Sequence, residues 1–343
     1  NPTDVQTALA EQAQRFVQRE YAFDQRRALL AGPDGFSAAH WATFAELGWL
    51  GLLVPEAHGG FGGSHADVMV LMEVFGSALV VEPYVASAVL ATTALSASGN
   101  AALQARWLPG LAAGEARAAL AYAEPEGRYD PAWVHTVAAP AGAGVRLRGR
   151  KSVVLSAPGA DALIVSAHSG DGVALYVVPT STPGVTVRGY ATADGLRAAE
   201  VEFDCELPAE ACLAPAPQGL DVLEHALDAG CAALVAETAG VMRALLDRTV
   251  EYLRTRRQFG QPIGEFQVLQ HRVVDMYVAT EETRSMALLA ALRMDAPAGE
   301  RRAAVAAAKQ RAGAQAHPVG QAAVQLHGGI GVTDELDVAH YFK

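Results

Sequence analysis

The spacing of apolar residues changes twice along this 343-residue chain, and these changes constrain the fold more than any other feature. Before about residue 119, apolar side chains recur at helical intervals of three and four. From there to Cys212 they form short runs separated by turn residues, which is typical of a small β-barrel or sandwich. After the linker 213–219 the helical spacing returns. The sequence therefore predicts an α+β chain with three domains: helical 1–118, β 119–212 and helical 213–343.

Local signals refine this outline. Thr3 or Asp4, and later Ser37, are residues that commonly cap the first turn of a helix. The segments 266–292 and 303–326 have the spacing of long helices. In the middle domain six short apolar runs predict strands, namely 145–148, 153–155, 162–165, 173–178, 185–187 and 200–203.

Composition excludes several classes of protein. Apolar residues make up 51% of the chain and charged residues 18%, which suits a large core and argues against disorder. A net charge of −11 makes nucleic acid and anionic membranes unfavourable partners. No uninterrupted apolar run of membrane-spanning length and no signal peptide are expected. Cys205, Cys212 and Cys231 have no metal-binding spacing, so we predict reduced thiols, no metal and a cytoplasmic protein.

One segment, from Arg254 to Gln267, carries the clearest chemical signal. It reads RTRRQFGQPIGEFQ: a basic helix end, an aromatic-glycine break, a turn and a second helix. Three guanidiniums at a helix C-terminus favour the negative end of the helix dipole, and their forked donors suit phosphate. The alternative interpretation is a basic helix cap followed by an ordinary helical hairpin.

This segment, together with three others in the same order, resembles the acyl-CoA dehydrogenase family of flavoproteins. The resemblance extends over nearly all of the chain and is closest to a short branch. That branch contains small subunits of pimeloyl-CoA dehydrogenase and subunits of heteromeric steroid-side-chain acyl-CoA dehydrogenases. The three other segments are 47–63, 121–127 and 325–335.

The resemblance implies a β domain between an N-terminal helical domain and a C-terminal four-helix bundle that drives oligomerisation. It also implies FAD as cofactor. Arg256, Gln258 and Phe259 match positions that contact FAD from the neighbouring subunit. Gln325, Gly328 and Gly329 match a turn near the adenosine-diphosphate half of FAD, where glycine lets the backbone approach the ligand. Alternatively, Phe259 is a core aromatic and the glycines only end a helix. His327 is assigned no role.

The middle domain departs from the family pattern. The hydroxyl-rich segment expected after Glu124-Pro125 is replaced by 126–130, and an aromatic-Ile-Thr-Asn segment is replaced by 153–156. Leu155 has no hydroxyl for the flavin edge. Tyr122 and Ser156 are weaker substitutes. We interpret the basic cluster Arg146, Arg148, Arg150 and Lys151 as a solvated sheet face rather than a site for CoA phosphates.

The catalytic base is not identified by the sequence. Desaturation of a thioester needs a carboxylate that takes the α-proton. The family places it either beyond the stretch matched by 340–343 or at a helix position matched by Gly230, which cannot act as a base. Glu237 lies in an apolar run and is the remaining candidate; the alternative is an intersubunit or capping carboxylate. Glu224 is interpreted as part of a solvated helix face.

Three hypotheses follow. The first is an FAD-dependent acyl-CoA dehydrogenase, in a homo- or heterotetramer, that forms a trans-2-enoyl-CoA and passes electrons to an electron-transfer flavoprotein. The second is a non-catalytic subunit that completes a partner's FAD site through Arg256 and Gln325. The third keeps the flavin but changes the chemistry, as in acyl-CoA oxidases or desulfinase-like relatives. The sequence does not specify whether the acyl chain is fatty, dicarboxylic or steroidal.

Overall fold

Helices dominate the first third of the chain in the computed structural model, which describes residues 2–170 and 172–343. Thr3 begins the first helix with a capping box that includes Gln6, and Ser37 caps the third through the backbone N–H of His40. A π-helical segment, Val85–Ala91, precedes the fifth. The helices are α1 (Asp4–Glu20), α2 (Phe23–Ala31), α3 (Ala38–Glu46), α4 (His65–Ala78), α5 (Thr92–Ala97) and α6 (Ala101–Ala112).

A mixed sheet follows, and all six predicted runs lie in its strands. Two of them, 145–148 and 153–155, are parts of one long strand. The sequence did not identify three further strands, the first, second and eighth. The strands are β1 (Ala118–Ala121), β2 (Val137–Ala141), β3 (Gly144–Leu155), β4 (Ala162–Ser169), β5 (Gly172–Pro179), β6 (Val185–Ala191), β7 (Arg197–Pro208) and β8 (Cys212–Ala214).

The strand order is β6-β7-β3-β2-β4-β5-β8, with β1 pairing parallel to β4. Strand β4 is buried on both faces, which explains its unbroken apolar sequence. Its Leu163 and Val165 enter a core formed within the sheet, while Ile164 packs with the helical residues Leu95 and Leu108.

The last third of the chain is again helical. The predicted linker is shorter than expected, because β8 and the next helix leave only 215–217 between them. The elements are α7 (Gln218–Thr255), the short strands β9 (Arg257–Gln258) and β10 (Gln261–Pro262), α8 (Gln267–Leu292), α9 (Ala298–His327) and α10 (Val338–Phe342). Short 3₁₀ segments occupy Trp49–Gly51, Glu56–His58, Ala209–Ala211, Ile263–Glu265 and Gly328–Val332.

By contacts, the chain divides into two compact units, each built from non-consecutive segments. The sheet unit contains residues 29–64 and 81–230, apart from residue 171. The bundle unit contains residues 2–28, 65–80 and 231–343. The three-domain boundaries drawn from the sequence stay a prediction.

In the bundle unit, α4 crosses α7 at two glycines. A Cβ added at Gly76 would collide with the carbonyl of Glu237, and one at Gly240 would collide with the carbonyl of Glu73. The two backbones therefore touch at a place where only glycine fits. Helix α7 is also long and apolar enough to cross a membrane by length and composition. However, 67% of its apolar window is buried, as in the core helix of a soluble protein.

Candidate cofactor site

The Arg-rich segment folds into a two-residue β-hairpin directly after α7. Gln258 pairs with Gln261, and the turn residues Phe259 (φ 54°) and Gly260 (φ 86°) are both left-handed. Such a turn matches the twist of its strands but normally takes Asn-Gly. A bulky residue with positive φ is an outlier. Phe259 is 91% exposed, so it is not a core aromatic of this chain.

Two guanidiniums next to this hairpin are unpaired among the residues that the structure describes. Arg254 and Arg256 are exposed, and neither side chain forms a hydrogen bond or ion pair with the part of the chain that the structure describes. Arg257 instead donates to the carbonyl of Gly260 at 3.1 Å, which holds the turn. The hairpin thus presents free forked donors, the kind of group that binds phosphate oxygens.

The Gly-Gly turn, Gly328-Gly329, exposes its backbone without side chains around it. Helix α9 ends at His327, and Gly328 follows with φ 68° and ψ −146°, a conformation that glycine adopts most readily. A Cβ added at Gly328 or Gly329 would meet nothing within 4 Å. Gln325 is exposed on the preceding turn. The glycines therefore end the helix and also leave the main chain open to a ligand, so the two interpretations hold together.

A buried histidine that the sequence analysis left without a role connects these two motifs. His327 is 4% exposed, and its Nδ1–H donates to the carbonyl of Ala323 at 2.8 Å. Its ring packs on Tyr252, with ring centroids 4.5 Å apart. The carbonyl of Tyr252 accepts the N–H of Arg256 at 2.8 Å. The Gly-Gly turn and the end of α7 that carries Arg256 therefore lie next to each other.

In the sheet unit, the predicted solvated basic face is correct for the arginines and wrong for Lys151. Arg146 and Arg148 are exposed and pair with Asp204. Lys151 is 0% exposed, and its Nζ donates to Glu124 Oε1 (2.7 Å), Ser166 Oγ (2.9 Å) and the Tyr122 carbonyl (3.2 Å). Strand alternation was a signal that could have found this, because residue 151 shares a face with buried Leu147.

Opposing effects set the ionisation of this buried pair. Burial disfavours the Glu124 carboxylate, but the hydrogen bond and charge of Lys151 outweigh it and lower the pKa of Glu124. Backbone N–H groups of His135 (2.9 Å) and Thr136 (3.0 Å) add to this. Burial lowers the pKa of Lys151 to about 8, although Glu124 acts in the other direction. Both groups are therefore charged at neutral pH.

The segment that replaces the family's aromatic-Ile-Thr-Asn stretch is a bulge. The pairing of β3 with β7 shifts between Lys151 and Val154. Val153 (φ 50°) and Ser156 (φ 57°) are left-handed, which is rare for a β-branched residue. Val153 and Leu155 are 52% and 40% exposed. Val153 and Leu155 therefore form an exposed apolar surface at the position where the resemblance predicts a hydroxyl.

The structure also describes the positions considered for a catalytic base. Gly230 is buried, and a Cβ there would collide with the side chain of Leu90. The space beside residue 230 is thus already filled. Glu237 is half-buried on α7, with its backbone at the α4 crossing, and stays a weak candidate. Glu224 is half-buried, and its assignment to a solvated helix face stays a prediction.

Comparison with known proteins agrees with this architecture. Residues 3–115, 119–205 and 217–343 match the N-terminal, middle and C-terminal domains of acyl-CoA dehydrogenases. The mitochondrial isovaleryl-CoA dehydrogenase of Arabidopsis thaliana is 30% identical over 296 residues, which cover 82% of this chain and 72% of that protein.

Two solved structures are similar over the whole chain. The ChsE4-ChsE5 complex from Mycobacterium tuberculosis aligns with a TM-score of 0.91 and 29% identity, covering 100% of this chain and 91% of that one. The FAD complex of PigA aligns with a TM-score of 0.89 and 25% identity, covering 100% and 92%.

Fold and motifs thus define an oxidoreductase of the flavoprotein class. The chain belongs to the acyl-CoA dehydrogenase family, whose three domains it contains in order. The resemblance drawn from the sequence, the predicted fold class and the predicted enzyme class are confirmed. FAD, the predicted cofactor, is the cofactor of such relatives.

Proposed function

We propose that this chain is a subunit of an FAD-dependent acyl-CoA dehydrogenase that converts an acyl-CoA thioester to its trans-2-enoyl-CoA and passes the electrons to an electron-transfer flavoprotein. One observation carries the proposal. The unpaired guanidiniums of Arg254 and Arg256, the exposed Phe259 and the bare backbone of Gly328-Gly329 lie at linked ends of α7 and α9.

These groups fit a flavin dinucleotide. The guanidinium of Arg256 suits the pyrophosphate, and the bare glycines allow close approach of the adenosine-diphosphate half. Gln258 and Gln325 offer amide donors and acceptors. All six predicted FAD contacts are exposed in the single chain, as expected if they hold FAD bound to a neighbouring subunit: Arg256, Gln258, Phe259, Gln325, Gly328 and Gly329.

The reaction removes a proton from the α-carbon and a hydride from the β-carbon of the thioester. Bound FAD supplies the acceptor for the hydride. The proton needs a carboxylate. Because Gly230 carries none and Leu90 fills the space beside it, we propose that the base comes from Glu237, from residues beyond Lys343 or from a partner chain.

We further propose a homo- or heterotetramer. Helix α8 exposes a set of apolar side chains that a second subunit would cover: Val274, Tyr277, Val278, Leu288, Leu289 and Leu292 are between 38% and 64% exposed. Exposed apolar residues grouped on one helix favour an interface. The similar ChsE4-ChsE5 structure is a complex of two different chains, which supports the heteromeric form. A cytoplasmic location stays a prediction, favoured by three free cysteines.

A second candidate function is favoured by the packing at Gly230. Leu90 occupies the space beside Gly230, the position matched to the catalytic base of the family. Such a chain can still present Arg256 and Gln325 to a partner's FAD. In that case it is a non-catalytic subunit that completes the partner's cofactor site.

A visible spectrum of the chain expressed alone, followed by anaerobic addition of a panel of acyl-CoAs, separates these functions. Flavin absorbance that bleaches with one acyl-CoA is the result expected for a self-sufficient dehydrogenase. A flavin that no acyl-CoA bleaches, or a colourless protein, would overturn the self-sufficient dehydrogenase and favour the non-catalytic subunit. Oxygen consumption without an electron-transfer flavoprotein would favour an oxidase.

A further inference from the structure

The Lys151–Glu124 pair is an unusual feature of the sheet unit. Lysine and glutamate are almost never fully buried unless they are paired. Lys151 is 0% exposed and Glu124 is 6% exposed. Replacing such a pair by apolar residues often leaves stability unchanged or improves it. Stability alone therefore does not explain the pair, and its directional hydrogen bonds are the property that apolar residues lack.

These hydrogen bonds join four strands at one point. From β3, Lys151 Nζ reaches the Tyr122 carbonyl and Glu124, both just after β1, and Ser166 in β4. The Glu124 carboxylate accepts the N–H groups of His135 and Thr136, just before β2. The Ser152 N–H also donates to the carbonyl of Ala123 at 2.9 Å, parallel to the side-chain contacts.

The pair lies directly beside a strained bulge. Two residues after Lys151, Val153 is left-handed, and Ser156 is left-handed again. Such conformations persist only where the surroundings hold them, and they are concentrated at functional sites. Pairing with β7 resumes at Val154, opposite Ala199. The bulge is thus fixed by the Lys151 contacts at one end and by the β7 ladder at the other.

We infer that Lys151 and Glu124 are positioning residues for the cofactor: they lock residues 122–127 to residues 152–157, the two segments of the sheet unit that the family resemblance matches to flavin-contacting segments. This inference rests on the proposed function only for the identity of the ligand. Leu155 would provide no hydroxyl to the flavin edge, so the placement of the ring would depend on the backbone of these segments, on the exposed side chains of Val153 and Leu155, and on the weaker hydroxyl substitutes of Tyr122 and Ser156. A backbone that positions a ligand in this way has to be rigid.

The test compares Lys151→Met with Arg146→Met. Both substitutions remove one cation from β3, but Arg146 is exposed and pairs only at the surface. Hydrogen–deuterium exchange, read by mass spectrometry, is measured on the folded proteins. We expect exchange in residues 122–127 and 152–157 to accelerate about tenfold or more in Lys151→Met, since hydrogen bonds to a charged group are lost. In Arg146→Met both segments should exchange as in the wild type.

Ser166→Ala is a milder variant in case Lys151→Met does not fold. It removes one acceptor and leaves the charged pair in place, and we expect a smaller acceleration in the same two segments. Wild-type exchange in both segments of either folded variant would overturn the inference.

Release of FAD is the second readout, and it separates this inference from the proposed function. Lys151→Met should lose FAD faster than Arg146→Met. Equal rates would overturn the link between the pair and the cofactor. A wild-type chain that holds no FAD would count against a self-sufficient enzyme, while the exchange data would still decide whether the pair locks the two segments.

Discussion

At the scale of single residues, the surroundings of Glu82 predict how the stability of the fold depends on pH. Burial raises the pKa of Glu82 to about 7 from 4.5. The carboxyl accepts the Ser37 N–H at 3.3 Å and lies 3.1 Å from His40 Nδ1. Between pH 4.5 and about 7 the unfolded chain has released this proton while the folded chain keeps it. The unfolded state therefore binds fewer protons, and stability falls as pH rises through this window.

Glu82→Gln should remove this dependence, because an amide does not titrate. From urea unfolding at pH 5 and pH 7, we expect the wild type to lose about 2 kcal/mol of unfolding free energy that the variant does not lose. Parallel stability curves for the two proteins would contradict the prediction.

Arg256 is the residue whose removal should affect the cofactor most directly. Arg256→Gln removes a free guanidinium next to the hairpin without disturbing an existing contact. Because hydrogen bonds to charged groups contribute about 1.5–3 kcal/mol, we expect FAD affinity to fall by about ten- to a hundredfold. Flavin fluorescence during titration measures this. Arg293→Gln, an exposed arginine at the end of α8, is the control and should bind FAD like the wild type.

At the scale of elements, the hairpin of β9 and β10 predicts a conflict between stability and binding. Phe259 holds a positive φ that asparagine adopts more readily. Phe259→Asn should therefore raise the unfolding free energy by about 1 kcal/mol while weakening FAD binding, since the exposed ring is lost. Thermal unfolding and flavin retention, measured on the same samples, check both parts. A less stable variant would refute the strain at Phe259, and a variant that retains FAD as well as the wild type would refute the proposed role of the ring.

The same scale shows what the sequence could and could not predict. Long helices and the six apolar runs, which lie in five strands, were predictable because their spacing is strong. Strand β1 (Ala-Ala-Leu-Ala) was missed because alanine has no strand signal, and its burial comes from pairing with β4. Strand β2 contains Pro140, which weakens a strand pattern. The left-handed Phe259 and the bulge at Val153 depend on tertiary contacts, which no local pattern records.

At the scale of the whole molecule, the sequence identified the family and the motifs of the proposed cofactor surface, but not the catalytic base. Motifs such as Arg256-Arg257-Gln258-Phe259-Gly260 are contiguous in the sequence and can be read directly. A base is defined by what surrounds it in three dimensions. The packing of Leu90 against Gly230 could not be foreseen from residues 140 positions apart.

Assembly leads to the last prediction. If the residues around Arg256 hold the FAD of a neighbouring subunit, breaking the interface must also release the cofactor. Val278 is 49% exposed on α8, and Val278→Glu would bury a carboxylate in the proposed interface, at a high cost in free energy. We expect light scattering to show a smaller species and the absorbance of flavin to be lost with it. Val5→Glu, at a 70% exposed valine on α1, should change neither.

The two readouts together separate the forms of assembly. A Val278→Glu protein that keeps both its mass and its flavin would refute an interface on this face of α8. If the wild type is itself small and colourless, α8 needs a different chain as its partner. The same prediction then applies to a mixture of this chain with a related acyl-CoA dehydrogenase subunit. In that mixture Val278→Glu should prevent the two chains from assembling, whereas Val5→Glu should not.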